Sequence, residues 1–140
     1  MAEGVFRHLA QQAGLDGRFE VGSAGTISYH AGEAPDRRAQ ATSQRHGVQL
    51  AGRARQFRPE DFFYFDLILA MDQDNVADLL SQASNAAERK KVRLLRKYDP
   101  EASGDLDVPD PYYGGPEGFE RVYQIIERSC QRLLQELAGE

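Results

Sequence analysis

The chain has 140 residues, 41% of them apolar and 28% charged, with a formal net charge of −5, which fits one soluble globular domain, residues 1–140, with one ordinary core. The acidic balance argues against nucleic-acid binding, no apolar run approaches the roughly 18 residues of a membrane span, and the opening MAEGVFRHLA lacks the apolar stretch of a secretory signal. A single cysteine rules out an internal disulfide and the Cys-rich zinc sites, so a cytoplasmic protein is expected.

Ala2, Val5, Phe6, Leu9 and Ala13 recur at helical spacing, with Gly14 as the stop, so the first element is a helix. No residue precedes it that could cap its first N–H groups. Phe19-Glu20-Val21 reads as a short strand and Gly22 to Thr26 as a small-residue turn. Pro35 suits the first position of a helix that Gly47 ends. Phe65 to Met71 is a nearly continuous apolar run, which suits a strand buried on both faces. Asp72 caps a helix carrying Val76, Leu79 and Leu80. Glu88 to Lys91 reads as a solvated helix end, and Val92 to Leu95 as another strand. A long loop leads to a final helix with Phe119, Val122, Tyr123, Ile126, Cys130, Leu133, Leu134 and Leu137 on one stripe. Strands alternating with helices imply parallel pairing, hence a three-layer α/β domain. A domain of this kind normally opens on a central strand whose first turn holds the ligand, whereas this chain opens on the helix.

Cys130 lies on the apolar stripe, with no glycine-rich loop or anion-cradling arginine beside it, and reads as a structural core thiol. Asp110 is the most informative polar residue. Pro109 and Pro111 both fix φ, so the backbone around its carboxylate is stiff. Tyr112 and Tyr113 follow at once and offer flat walls for an aromatic ligand. A carboxylic acid held against rings suits proton donation near neutral pH. The plainer reading of the same residues is a proline turn ahead of a helix. Asp99-Pro100 is read as such a turn and given no function. His8, His30 and His46 read as surface, loop and helix-end residues.

Asp110-Pro-Tyr-Tyr-Gly ahead of the last helix resembles the general-acid loop of the low-molecular-weight protein-tyrosine phosphatases. Residues 1–6, the Val21 to Thr26 turn, Pro35 to Arg38 with Arg45-His46-Gly47, and Phe65 to Asn75 resemble that family in the same order, so the likeness covers essentially the whole chain. It implies a parallel four-stranded sheet whose first, central strand is missing here. It implies Asp110 as general acid, Ser23 as a hydrogen-bond support of the phosphate loop, and Tyr29, Tyr112 and Tyr113 on the pocket rim. Ser23 also reads as a turn serine bonded to local backbone. Gly52 stands where many relatives have a loop-supporting histidine.

The family's Cys-x5-Arg loop is absent. Cys130 is followed six positions on by Glu136, and no nucleophile is expected in this chain. The family's chemistry needs that loop, because a thiolate attacks phosphorus while backbone N–H groups and the arginine hold the phosphoryl oxygens. The resemblance puts the strand and loop upstream of Met1, so a misassigned start codon, a real deletion and a pseudoenzyme are the readings carried forward. The intact parent is expected to hydrolyse phosphotyrosine proteins or small aryl phosphates through a phosphocysteine, with no metal or cofactor; the chain as given is expected to be inactive. The rivals are a non-catalytic interaction module, an arsenate reductase and a protein-arginine phosphatase. A central strand would bury several apolar side chains, worth on the order of 10 kcal/mol. This chain alone is therefore expected to be poorly ordered, or to fill the gap by a strand shift or as a strand-swapped or edge-paired dimer.

Overall fold

A computed structural model describes residues 1–25, 36–51, 55–109 and 115–139. Helix α1 spans Ala2–Gln12, with Val5, Phe6 and Ala10 buried and no side-chain cap at its start. Gly14 and then Gly47, the stop after helix α2 (Arg37–Arg45), take φ of 72° and 78°, where a side chain would be strained. Asp36, rather than Pro35, marks the start of α2. Its carboxylate accepts the Arg38 N–H at 2.7 Å, which puts Pro35 before the cap and outside the described residues. Short helix α3 (Asp61–Tyr64) buries Phe62 and leaves Phe63 89% exposed.

Strand β1 covers Ile68–Ala70 and pairs in parallel with β2 (Val92–Leu94), in the register Ile68 opposite Val92 and Ala70 opposite Leu94. Helices α4 (Gln73–Gln82) and α5 (Ala86–Lys91) form the crossover. Each has a side-chain cap: Asp72 accepts from the Asn75 N–H at 2.8 Å and Asn85 from the Glu88 N–H at 2.9 Å. Glu88 is more than a solvated charge, because its carboxylate reaches back past the cap and accepts from the Ser84 N–H at 2.7 Å. Leu79 of α4 is buried, but Leu80 is 37% exposed.

The α/β architecture with parallel strands and helices on both faces agrees with the sequence reading. Leu67, Leu69 and Met71 point to a core formed by α1 and α6 (Gly115–Ala138), while Ile68 and Ala70 point to Phe57, Phe62 and Leu79 on the other side. This alternation with period two makes three layers. Helix α6 buries the expected stripe of Phe119, Val122, Tyr123, Ile126, Cys130, Leu133 and Leu134.

The strands are shorter than expected. Phe65 to Leu67 lie outside β1, and Leu95 opens a 3-10 turn (Leu95–Tyr98) instead of ending β2. Phe19 to Val21 form no strand. Phe19 is extended, with φ −129° and ψ 139°, but no strand among the described residues pairs with it. The Val21 carbonyl instead accepts a bond from the Arg7 guanidinium. A strand exists through its partner's hydrogen bonds, and extended backbone without a partner remains loop. The one further pairing among the described residues is a parallel bridge between Gly25 and Gln56. No helix of the described residues is long and apolar enough to cross a membrane.

Candidate active site

The chain leaves β2 through the Leu95–Tyr98 turn, whose Leu95 is buried, and reaches Asp99. Asp99 has no exposed side-chain surface. Arg128 of α6 donates to both its oxygens, at 3.0 and 3.1 Å, and the Glu101 N–H donates at 2.9 Å. Burial pushes the Asp99 carboxyl up, but these bonds and the charges of Arg128 and Arg96 outweigh it and hold the group below its ordinary value. A buried carboxylate is stable only with such partners.

The loop then folds back to the end of β1. Asp105 caps the Asp107 N–H at 2.9 Å. The Asp107 carboxylate accepts from the Gln73 N–H, in the first turn of α4, at 3.0 Å, while its carbonyl accepts from Arg96 at 2.7 Å. The Val108 N–H donates to the Met71 carbonyl at 2.7 Å, and Val108 is buried. Residues 107–108, just ahead of Pro109 and Asp110, are thus anchored at the carboxyl end of a parallel strand, where open α/β sheets place their ligands. Asp110, Tyr112 and Tyr113 lie outside the described residues, as does Tyr29. Helix α6 begins immediately after that segment, at Gly115.

Ser23 is placed beside the first turn of α1. Its hydroxyl donates to Glu3 at 2.7 Å, and Glu3 also pairs with Arg7 at 3.2 Å. The first intrahelical bond runs from the Val5 N–H to the Met1 carbonyl at 3.0 Å. Ala2, Glu3 and Gly4 therefore present the free N–H groups and positive dipole end of the helix, a setting that favours negative charge. Glu3 supplies such charge here.

Cys130 is buried on α6, 3.9 Å from the Ala2 carbonyl, and burial pushes its thiol up to about 12. It has neither the exposure nor the ionisation of a nucleophile. His46 is more than a helix-end residue. Its Nε2 lies 2.9 Å from both oxygens of Glu120, and its ring stacks on Tyr123 at 4.0 Å. His8 is half-buried on α1, and His30 and Gly52 lie outside the described residues. Among the described residues no group of three or more His, Cys, Asp or Glu side chains could hold a metal ion.

Sequence reading missed the Asp99–Arg128 pair and the Arg96–Asp107 bond. Asp99-Pro100 looked like an ordinary turn, and its partner stands 29 positions away on another element. An arginine flanking the apolar stripe of α6 was the one available signal.

The described residues form a parallel α/β fold in which residues 107–108 are fastened at the carboxyl end of β1, the end at which folds of this class bind ligands. Comparison with known proteins narrows the class. The family model for low molecular weight phosphotyrosine protein phosphatases matches residues 1–140. A low molecular weight protein-tyrosine-phosphatase of Streptomyces coelicolor is 46% identical over 135 residues, covering 96% of this chain and 82% of that protein. A protein tyrosine phosphatase from Entamoeba histolytica superposes with a TM-score of 0.93 at 35% identity, covering 99% of this chain and 87% of that one. A Drosophila arginine phosphatase superposes with a TM-score of 0.88 at 33% identity, covering 97% of this chain and 87% of the other. The chain belongs to the low molecular weight phosphotyrosine protein phosphatase family.

Proposed function

We propose that these 140 residues form the general-acid part of a protein-tyrosine phosphatase whose thiolate and phosphate loop are supplied from outside them. The observation that carries this is the anchoring of residues 107–108 at the carboxyl end of β1, directly before Asp110. In this reading the Cys-x5-Arg thiolate displaces the aryl oxygen from phosphorus, and the S–P bond forms as the P–O bond breaks. Asp110 gives its proton to the departing phenol oxygen. It then takes a proton from the water that attacks the phosphocysteine, releasing phosphate and the thiolate. The first-turn N–H groups of α1 face the phosphoryl oxygens, and Ser23 supports the loop that holds them. Tyr29, Tyr112 and Tyr113 line the rim, which suits phosphotyrosine proteins and small aryl phosphates.

The family membership, the acid sequence Asp110-Pro-Tyr-Tyr and the buried, unreactive Cys130 all support this assignment. A second reading, hydrolysis of phosphoarginine, is favoured by the likeness to the Drosophila structure. Parallel assays on phosphoarginine and aryl phosphate separate the two. The test of the acid is direct. Joined to an apolar strand followed by Cys-x5-Arg, the protein should hydrolyse an aryl phosphate, and Asp110→Ala should slow it by about 10²–10⁴-fold. An alanine variant as fast as its parent removes Asp110 from the mechanism.

A further inference from the structure

We propose that the cavity between α1 and residues 16–21 is a binding site for a free amino acid with an apolar side chain. None of the residues that line it has a role in the phosphatase reading.

The cavity holds about 300 Å³, at the small end of the range for ligand pockets. Its apolar lining is Ala10 of α1, which is buried, with Phe19 and Val21, which pack against the main core. Phe19 is fixed there by edge-on packing on Phe6, with ring centroids 5.4 Å apart. Gln11 and three charged side chains, Arg7, Asp16 and Glu20, complete the lining.

The charges select the ligand. Arg7 uses one nitrogen, Nη2, within the fold: it donates to the Val21 carbonyl and pairs with Glu3 at 3.2 Å. Its Nε and Nη1 have no partner among the described residues, so they can donate to a ligand carboxylate. The Asp16 carboxylate has no partner among the described residues, and Glu20 accepts from the Tyr64 hydroxyl through Oε1, which leaves Oε2 open. An ammonium group, with three donors and no acceptor, suits these two carboxylates. A purely anionic ligand would face Asp16 and Glu20, and a purely cationic one would face Arg7. Like charges brought together oppose binding. A ligand with an ammonium and a carboxylate meets each sign with its opposite. In a free amino acid both groups sit on one carbon, within reach of a cavity this small, and the side chain is left for Ala10, Phe19 and Val21. A peptide terminus carries only one of the two charges beside its side chain and fits less well.

The experiment is a titration of the isotope-labelled 140-residue protein with L-leucine, followed by NMR. The Arg7 side-chain Nε and the backbone amides of Glu20 and Val21 should shift and saturate. No saturable shift up to the solubility limit of leucine, or saturable shifts confined to other residues, overturns the proposal. Two analogues test the charge argument on the unaltered protein. 3-Methylbutylamine is leucine without its carboxylate, and 4-methylpentanoate is leucine without its ammonium. Each should bind at least about fivefold more weakly than leucine, and a smaller difference for either overturns the proposal. Asp16→Asn combined with Glu20→Gln removes both negative charges from the lining. Both residues are exposed, so the variant keeps the fold. It should weaken leucine binding at least about fivefold; unchanged binding also overturns the proposal.

Discussion

A carboxylate with no exposed surface, as at Asp99, is held in the fold by the charges and donors around it. Removing one side of such a pair leaves the other buried and unmatched, so Asp99→Asn should cost about 3 kcal/mol in urea unfolding at neutral pH. The effect has a pH signature. The folded carboxyl titrates below its ordinary 3.8, so its contribution is fully present above that value and is lost as pH falls through the lower, folded value. The stability gap between the parent and Asp99→Asn should hold from neutral pH down to about 4 and close below it. A gap that does not change with acidification would show that Asp99 is not ionised in the fold. Asp110 shows the opposite case of legibility. Its prolines and tyrosines are its sequence neighbours, so its candidacy could be read directly, whereas the buried role of Asp99 depends on Arg128, which folding alone brings near.

At the scale of elements, α2 is fastened to α6 at two levels. The Arg38 guanidinium sits 4.8 Å over the Phe119 ring, and His46 stacks on Tyr123 while bonding Glu120. Gln124 also donates to Glu120 at 2.8 Å; that bond and His46 hold its carboxyl below the ordinary range. His46→Ala removes the stacked ring and should lower stability by about 1 kcal/mol, seen as a drop in thermal midpoint that Glu120→Gln reproduces only in part. An unchanged midpoint would mean that the stack does not hold α2. The helices themselves were readable because their signals are local: Asp72 as a cap, Gly14 and Gly47 as stops, and the stripe of α6. Strand lengths were not. Phe19 to Val21 have the composition of a strand and Phe19 is extended, yet no partner strand lies alongside among the described residues, where the apolar run from Phe65 pairs at Ile68–Ala70. Composition marks residues that can pair; pairing itself is a property of two segments.

At the scale of the whole molecule, the described sheet has two strands, and β1 pairs on one side only. Leu67, Leu69 and Met71 nevertheless pack with α1 and α6, while Ile68 and Ala70 pack toward Phe57 and Phe62. The layers thus hold with few strand hydrogen bonds. The chain has the fold of its family, with residues 107–108 anchored at the end of β1, and its one cysteine is buried in α6 with its thiol pushed up to about 12. Loss of a covalent nucleophile costs on the order of a millionfold in a comparable enzyme. The most direct measurement is therefore steady-state hydrolysis of an aryl phosphate by the purified 140-residue protein, with chelator present. We expect a rate indistinguishable from that of the uncatalysed ester. Sustained turnover that disappears with Asp110→Ala would contradict this expectation, because it would require a nucleophile among these residues.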